Sequence, residues 1–124
     1  KVVFWDLAKS SSIKHINLQE VIGKYEQTHC PPHIYSICPM KSSVLLSTES
    51  GHVVHIPFAE PKKPKFILTA SLAKVVRCCM ARFHPNILLT LSADSTFSMF
   101  DFVKRDNLSC PYLIQRYKTN EEPN

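Results

Sequence analysis

The stretch Ser92 to Phe102 reads SADSTFSMFDF, and its reading decides the fold. The apolar run Ile87-Leu88-Leu89-Thr90-Leu91 leads into it. Asp94 then sits in a short polar turn, and a second strand closes with Phe100-Asp101. An aspartate in such a turn accepts hydrogen bonds from the backbone N–H groups just ahead of it, which favours a tight hairpin. At the start of the chain, Val2-Val3-Phe4-Trp5-Asp6-Leu7 falls without a gap on Phe97-Ser98-Met99-Phe100-Asp101-Phe102. An aromatic followed by aspartate ends each strand. Trp5 and Phe100 stand 95 positions apart, too far for one repeat but right for two of roughly 40–50 residues each.

A middle copy is therefore expected, and Leu45-Leu46-Ser47-Thr48, Glu49-Ser50-Gly51 and His52 to Phe58 supply it in the same strand–turn–strand form. Upstream of the two complete copies, Ile34 to Pro39 and Val76 to Pro85 play matching parts as strands that end at a proline. Lys65 to Ala70 adds a strand after the middle copy, as Ser12 to Leu18 does after the first. Pro111 to Tyr117 is the candidate for the last.

The totals agree with a strand-rich domain. A length of 124 residues allows one ordinary core. Nine prolines punctuate the chain too often for long helices, and two glycines are too few for a phosphate-cradling loop. No apolar run reaches the ~20 residues that span a bilayer, so no membrane insertion is expected. Five cysteines, an odd number without framework spacing, read as reduced thiols of an intracellular protein of cytoplasm or nucleus. The chain opens at Lys1 inside an apparent strand, which predicts a longer protein with further sequence upstream.

These residues resemble the WD-repeat β-propeller family. That family's repeat carries an early histidine, a strand ending Phe-x-Pro, the phrase Leu-x-Ser-x-Ser-x-Asp, and a closing Trp-Asp. Phe83-His84-Pro85, Leu88 to Asp94, and Phe100-Asp101 follow the pattern in the last copy, and Trp5-Asp6 keeps its true ending in the first. In the middle copy Ser50 stands near the turn aspartate position and Ile56-Pro57 replaces Trp-Asp. His29 falls about where the early histidine belongs. The resemblance implies an all-β fold of antiparallel four-stranded blades, part of a propeller. Residues 1–18 are then the last two strands of a blade, 19–32 a loop, 33–70 a complete blade, 75–117 the C-terminal blade and 118–124 a flexible tail. The remaining blades would come from upstream sequence. The family's histidine–aspartate–serine/threonine–tryptophan network would survive in part at Thr90 and Asp94, whereas Phe100 cannot donate as an indole would.

No residue pattern announces a reaction. His29, Cys30 and His33, with Cys38 beyond, resemble zinc ligands, but the second close-spaced pair that zinc sites use is missing, so no metal is expected. No cofactor is expected either. Cys79 and His84 lie five residues apart, which a strand spreads over ~16 Å, too far for a nucleophile and its base. A net charge of +5 favours acidic partners in general. Its sharpest cluster, Pro61-Lys62-Lys63-Pro64-Lys65, reads as a solvated loop between the third and fourth strands of a blade. The expected function is a non-catalytic scaffold that holds other proteins in a multiprotein complex, with His33, Lys62, Lys63 and Arg105 as contact residues. The alternative is a nucleic-acid- or chromatin-associated propeller that uses its basic loops, and a hydrolase comes third.

Overall fold

In a computed structural model the structure describes residues 2–6, 11–16, 33–60, 62–107 and 109–118. His29, Cys30, the expected loop 19–32 and the tail from 119 onward lie outside the described residues. The described elements are all strands: β1 (Val2–Asp6), β2 (Ser11–Ile16), β3 (Ile34–Pro39), β4 (Ser43–Thr48), β5 (His52–Pro57), β6 (Phe66–Thr69), β7 (Val75–Met80), β8 (Ile87–Ser92), β9 (Thr96–Arg105) and β10 (Pro111–Lys118). β1 and β2 pair antiparallel; Trp5 lies opposite Ser12 and Asp6 opposite Ser11. The other strands form two four-stranded antiparallel sheets in sequential order, β3-β4-β5-β6 and β7-β8-β9-β10. The fold is all-β, as the turn-punctuated apolar runs predict.

The two sheets repeat one another in detail. Ser43 and Ile87 open β4 and β8, and His52 and Thr96 open β5 and β9, each pair 44 positions apart. The turns between them correspond as well. Gly51 has a φ of 88° and its counterpart Ser95 one of 68°. The first strand of each sheet carries an irregularity at its second position, between Ile34 and Ser36 in β3 and between Val75 and Arg77 in β7. Such bulges spoil the ladder at strands that would otherwise be open edges. One expected strand is shorter than its sequence implied: β7 stops at Met80 instead of running to Pro85. There the Ala81 N–H donates to the Ile87 carbonyl (2.8 Å), turning residues 82–86 into an exposed loop.

The sheets stack face to face. Leu45 and Val53 of the first meet Val75, Cys78, Leu88 and Phe100 of the second, with Phe66, Leu68 and Ala70 closing the cluster. Removing each large side chain from water stabilises the stack by about 1.5–3 kcal/mol. The opposite face of the first sheet holds a second cluster of Val44, Leu46, Val54 and Ile56. All six residues of β4 are buried, as its unalternating sequence predicts for an inner strand. β8 reads just as apolar, yet it alternates half-buried and buried residues. Leu88, Thr90 and Ser92 face the stack, whereas Leu89 and Leu91 lie on a face with no second sheet against it among the described strands.

Candidate interaction surface

Antiparallel strands stacked in the same sense deliver their connections to two rims. One rim collects residues 40–42, 58–60, 62–65, 81–86, 103–107 and 109–110. The other collects His33, the turn Glu49-Ser50-Gly51, residues 71–74 and the turn Ala93-Asp94-Ser95. Lys62, Lys63 and Arg105 stand together on the first rim, and His33 on the second, so the structure separates the four expected contact residues. His33 Nδ1 lies 3.7 Å from a Glu49 carboxylate oxygen, both side chains largely in solvent. At the first rim the Lys63 N–H closes a turn on the Glu60 carbonyl (3.0 Å).

Arg105 is held by rings. Its guanidinium carbon lies 5.0 Å from the centroid of Phe66 and 5.5 Å from that of Phe102, bridging the two sheets. Beneath it His55 packs against both rings, at 5.3 and 5.1 Å between centroids, and its Nε2 bonds the Ser43 hydroxyl at 2.7 Å. Burial, and then the positive charges of Arg105 and Lys65, push the His55 pKa down to about 4. The ring is therefore neutral at physiological pH. The neighbouring Lys104 ammonium sits 4.3 Å above the Tyr112 ring.

The residues expected to form the blade motif divide by role. Asp94 Oδ1 accepts the Thr96 N–H (3.1 Å) and Oδ2 accepts the Ser71 hydroxyl (3.2 Å), pinning its own turn and the one before β7. Partial burial works to raise the Asp94 pKa, but the Thr96 hydroxyl and N–H and the Ser71 hydroxyl outweigh it and hold the carboxyl below its usual range. Thr90 Oγ1 is buried without a partner, so Asp94 and Thr90 are not joined. Phe100 is 2% exposed and packs in the cluster between sheets. Asp101 Oδ1 takes the N–H groups of Lys104 and Val103, both at 3.0 Å, shaping the approach to Arg105. Those two bonds, the Lys104 one first, lower the Asp101 pKa. Trp5 and Asp6 lie on β1.

Between the first strands of the two sheets runs a cleft of about 390 Å³, bordered by Tyr35, Ile37, Cys38, Arg77, Cys78 and Cys79. Ser36 knits it: its hydroxyl meets that of Ser47 at 2.7 Å, accepts the Cys78 N–H at 3.0 Å and lies 3.5 Å from the Cys78 sulfur. Burial above all pushes the Cys78 thiol up to about 11, so it is protonated at neutral pH. Among the described residues no group of three histidine, cysteine or acidic side chains is placed to hold a metal.

Lys41, Arg82, Lys104, Phe83 and Val103 share the rim of Lys62 and Arg105, although the sequence did not mark them as contact residues. Lys41 sits in the β3–β4 connection, Arg82 and Phe83 in the β7–β8 connection, and Val103 and Lys104 at the end of β9. Only the repeat register, which assigns every second connection to one end, carries the signal that unites them.

Comparison with solved structures bears on this arrangement. The β-propeller domain of Cps50 (Swd1) from Myceliophteria thermophila superposes with a TM-score of 0.58 over 80% of this chain, at 12% sequence identity. The chain has the fold of β-propeller blades. Its two complete sheets are such blades, stacked with their first strands side by side. The chain spans 31% of the length of that propeller domain. No family model matches the chain, and no curated protein matches it.

Proposed function

We propose that the chain is part of a WD-repeat propeller that serves as a non-catalytic scaffold, holding other proteins in a multiprotein complex inside the cell. The observation that carries this reading is the rigid stacking of two blades. The stack delivers eight sets of loop and strand ends to two rims. Stiff sheets hold loops at fixed spacing, and loops carry recognition. The WD-repeat assignment draws on Asp94 in its turn and on the Phe100-Asp101 and Trp5-Asp6 pairs. Five cysteines, an odd number without framework spacing, favour a cytoplasmic or nuclear setting.

Affinity purification of the intact protein from cells under mild cross-linking tests the reading. It expects a reproducible set of co-purifying proteins and no turnover of generic ester or phosphate substrates. A protein recovered alone, or one that turns such substrates over, contradicts it.

A further inference from the structure

Among the described residues the two rims differ in charge. On the rim of Arg105, Lys41 stands in the β3–β4 connection, Lys62, Lys63 and Lys65 in the next, Arg82 after β7, and Lys104 beside Arg105 at the end of β9. Glu60, Asp101 and Asp106 oppose them, leaving a net +4. At the opposite rim Lys74 and Lys118 balance Glu49 and Asp94.

Two of the rim's cations are already ordered. Arg105 rests on Phe66 and Phe102, and Lys104 rests on Tyr112. A planar guanidinium lying on rings keeps its N–H edge available, and less freedom remains to be lost when a carboxylate docks. Asp101 and Asp106 are turned into their own loops, Asp106 Oδ1 accepting the Cys110 N–H at 3.0 Å. Apolar side chains stand among the charges: Phe83 is 73% exposed and Val103 63%. The Phe102 N–H donates to the Asn86 carbonyl (2.7 Å), which sets the loop of Phe83 beside the end of β9.

Resting on the scaffold reading, we infer that this rim binds an acidic protein segment with one aliphatic or aromatic anchor. The carboxylates meet Arg105 and the lysines of the β5–β6 connection, and the anchor meets Phe83 and Val103. Nucleic acid fits less well. Three carboxylates interrupt the path of a phosphate backbone, and the Tyr112 face is covered by Lys104, so successive bases lack successive rings to stack on.

The test uses the intact protein and a labelled peptide of about twelve residues, alternating glutamate and serine around one central leucine, followed by fluorescence anisotropy. Binding is expected to weaken about tenfold or more between about 50 mM and about 500 mM salt. The Lys62→Glu/Lys63→Glu variant is expected to bind about tenfold more weakly, Phe83→Ser to lose the preference for the leucine peptide over an all-polar one, and Lys74→Glu to change nothing. No peptide binding, equal binding by the charge-reversed variant, or tighter binding of an oligothymidylate through the same lysines overturns the inference. Partner capture from cells separates this failure from that of the scaffold reading. Equal capture by the wild type and the charge-reversed variant removes the rim inference alone, whereas no capture by either removes the scaffold reading as well.

Discussion

At the scale of single residues, the paired turns put two positions under opposite constraints. Gly51 adopts a φ of 88°, and a Cβ there would collide with the Ser71 carbonyl oxygen, a backbone atom that cannot swing aside. Gly51→Ala is expected to destabilise by roughly 2 kcal/mol or more, read from chemical unfolding. Ser95 holds the same conformation at a cost, and its buried hydroxyl has no partner. Ser95→Gly removes both penalties and is expected to stabilise by about 1 kcal/mol. His55 sets a pH dependence. The unfolded chain takes up its proton near pH 6.5, whereas the native imidazole waits until about pH 4. Between those values the unfolded state binds more protons, so stability falls as pH falls, by up to about 3 kcal/mol. Unfolding curves taken across this window should flatten in His55→Gln, and an unchanged slope would remove the histidine as cause. Asp94 was legible as a turn-former because its chemistry is local. The orphaned Thr90 hydroxyl was not, since it depends on which neighbour the aspartate selects, and that neighbour is Ser71, 23 positions away.

At the scale of elements, β10 is the most instructive strand. Seven of its eight residues are exposed, Tyr112, Leu113, Ile114 and Tyr117 among them, so burial does little to hold it. Arg116 does more: its Nε donates to the Ser98 hydroxyl and its Nη2 to the Ala70 carbonyl, both at 3.0 Å, tying the strand to its neighbour and to the preceding blade. Arg116→Ala is expected to lower stability by about 1 kcal/mol and to raise hydrogen exchange selectively along residues 112–117. Uniform exchange would contradict that anchoring role. Strand identities were readable because β4, β5, β8 and β9 combine apolar runs with polar turns at a fixed spacing. Ends were less readable. The proline at 85 invited a strand up to it, yet a backbone bond from Ala81 to Ile87 closes the turn earlier, an outcome no side chain encodes. The basic rim was half readable: the lysines at 62 and 63 form a visible cluster, whereas Arg82 and Lys104 join them only once the blades are stacked.

At the scale of the molecule, the covered and open faces of equivalent blades make a quantitative comparison. Leu45 and Leu89 occupy the same place in their repeats; Leu45 is fully buried under the second blade, while Leu89 is half-buried. Leu45→Ala is expected to cost about 2–5 kcal/mol and Leu89→Ala about 1 kcal/mol. Equal costs would mean that the outer face is as covered as the inner one. The stacking itself admits a more direct measurement. Ser36 and Cys78 are 42 positions apart and on different sheets, yet their side-chain atoms lie 3.5 Å apart across the cleft. Mild oxidation of Ser36→Cys, followed by peptide mapping, should yield one disulfide joining position 36 to Cys78. A failure to cross-link, or indiscriminate pairing with Cys38, Cys79 and Cys110 alike, would contradict the face-to-face stacking of the two blades.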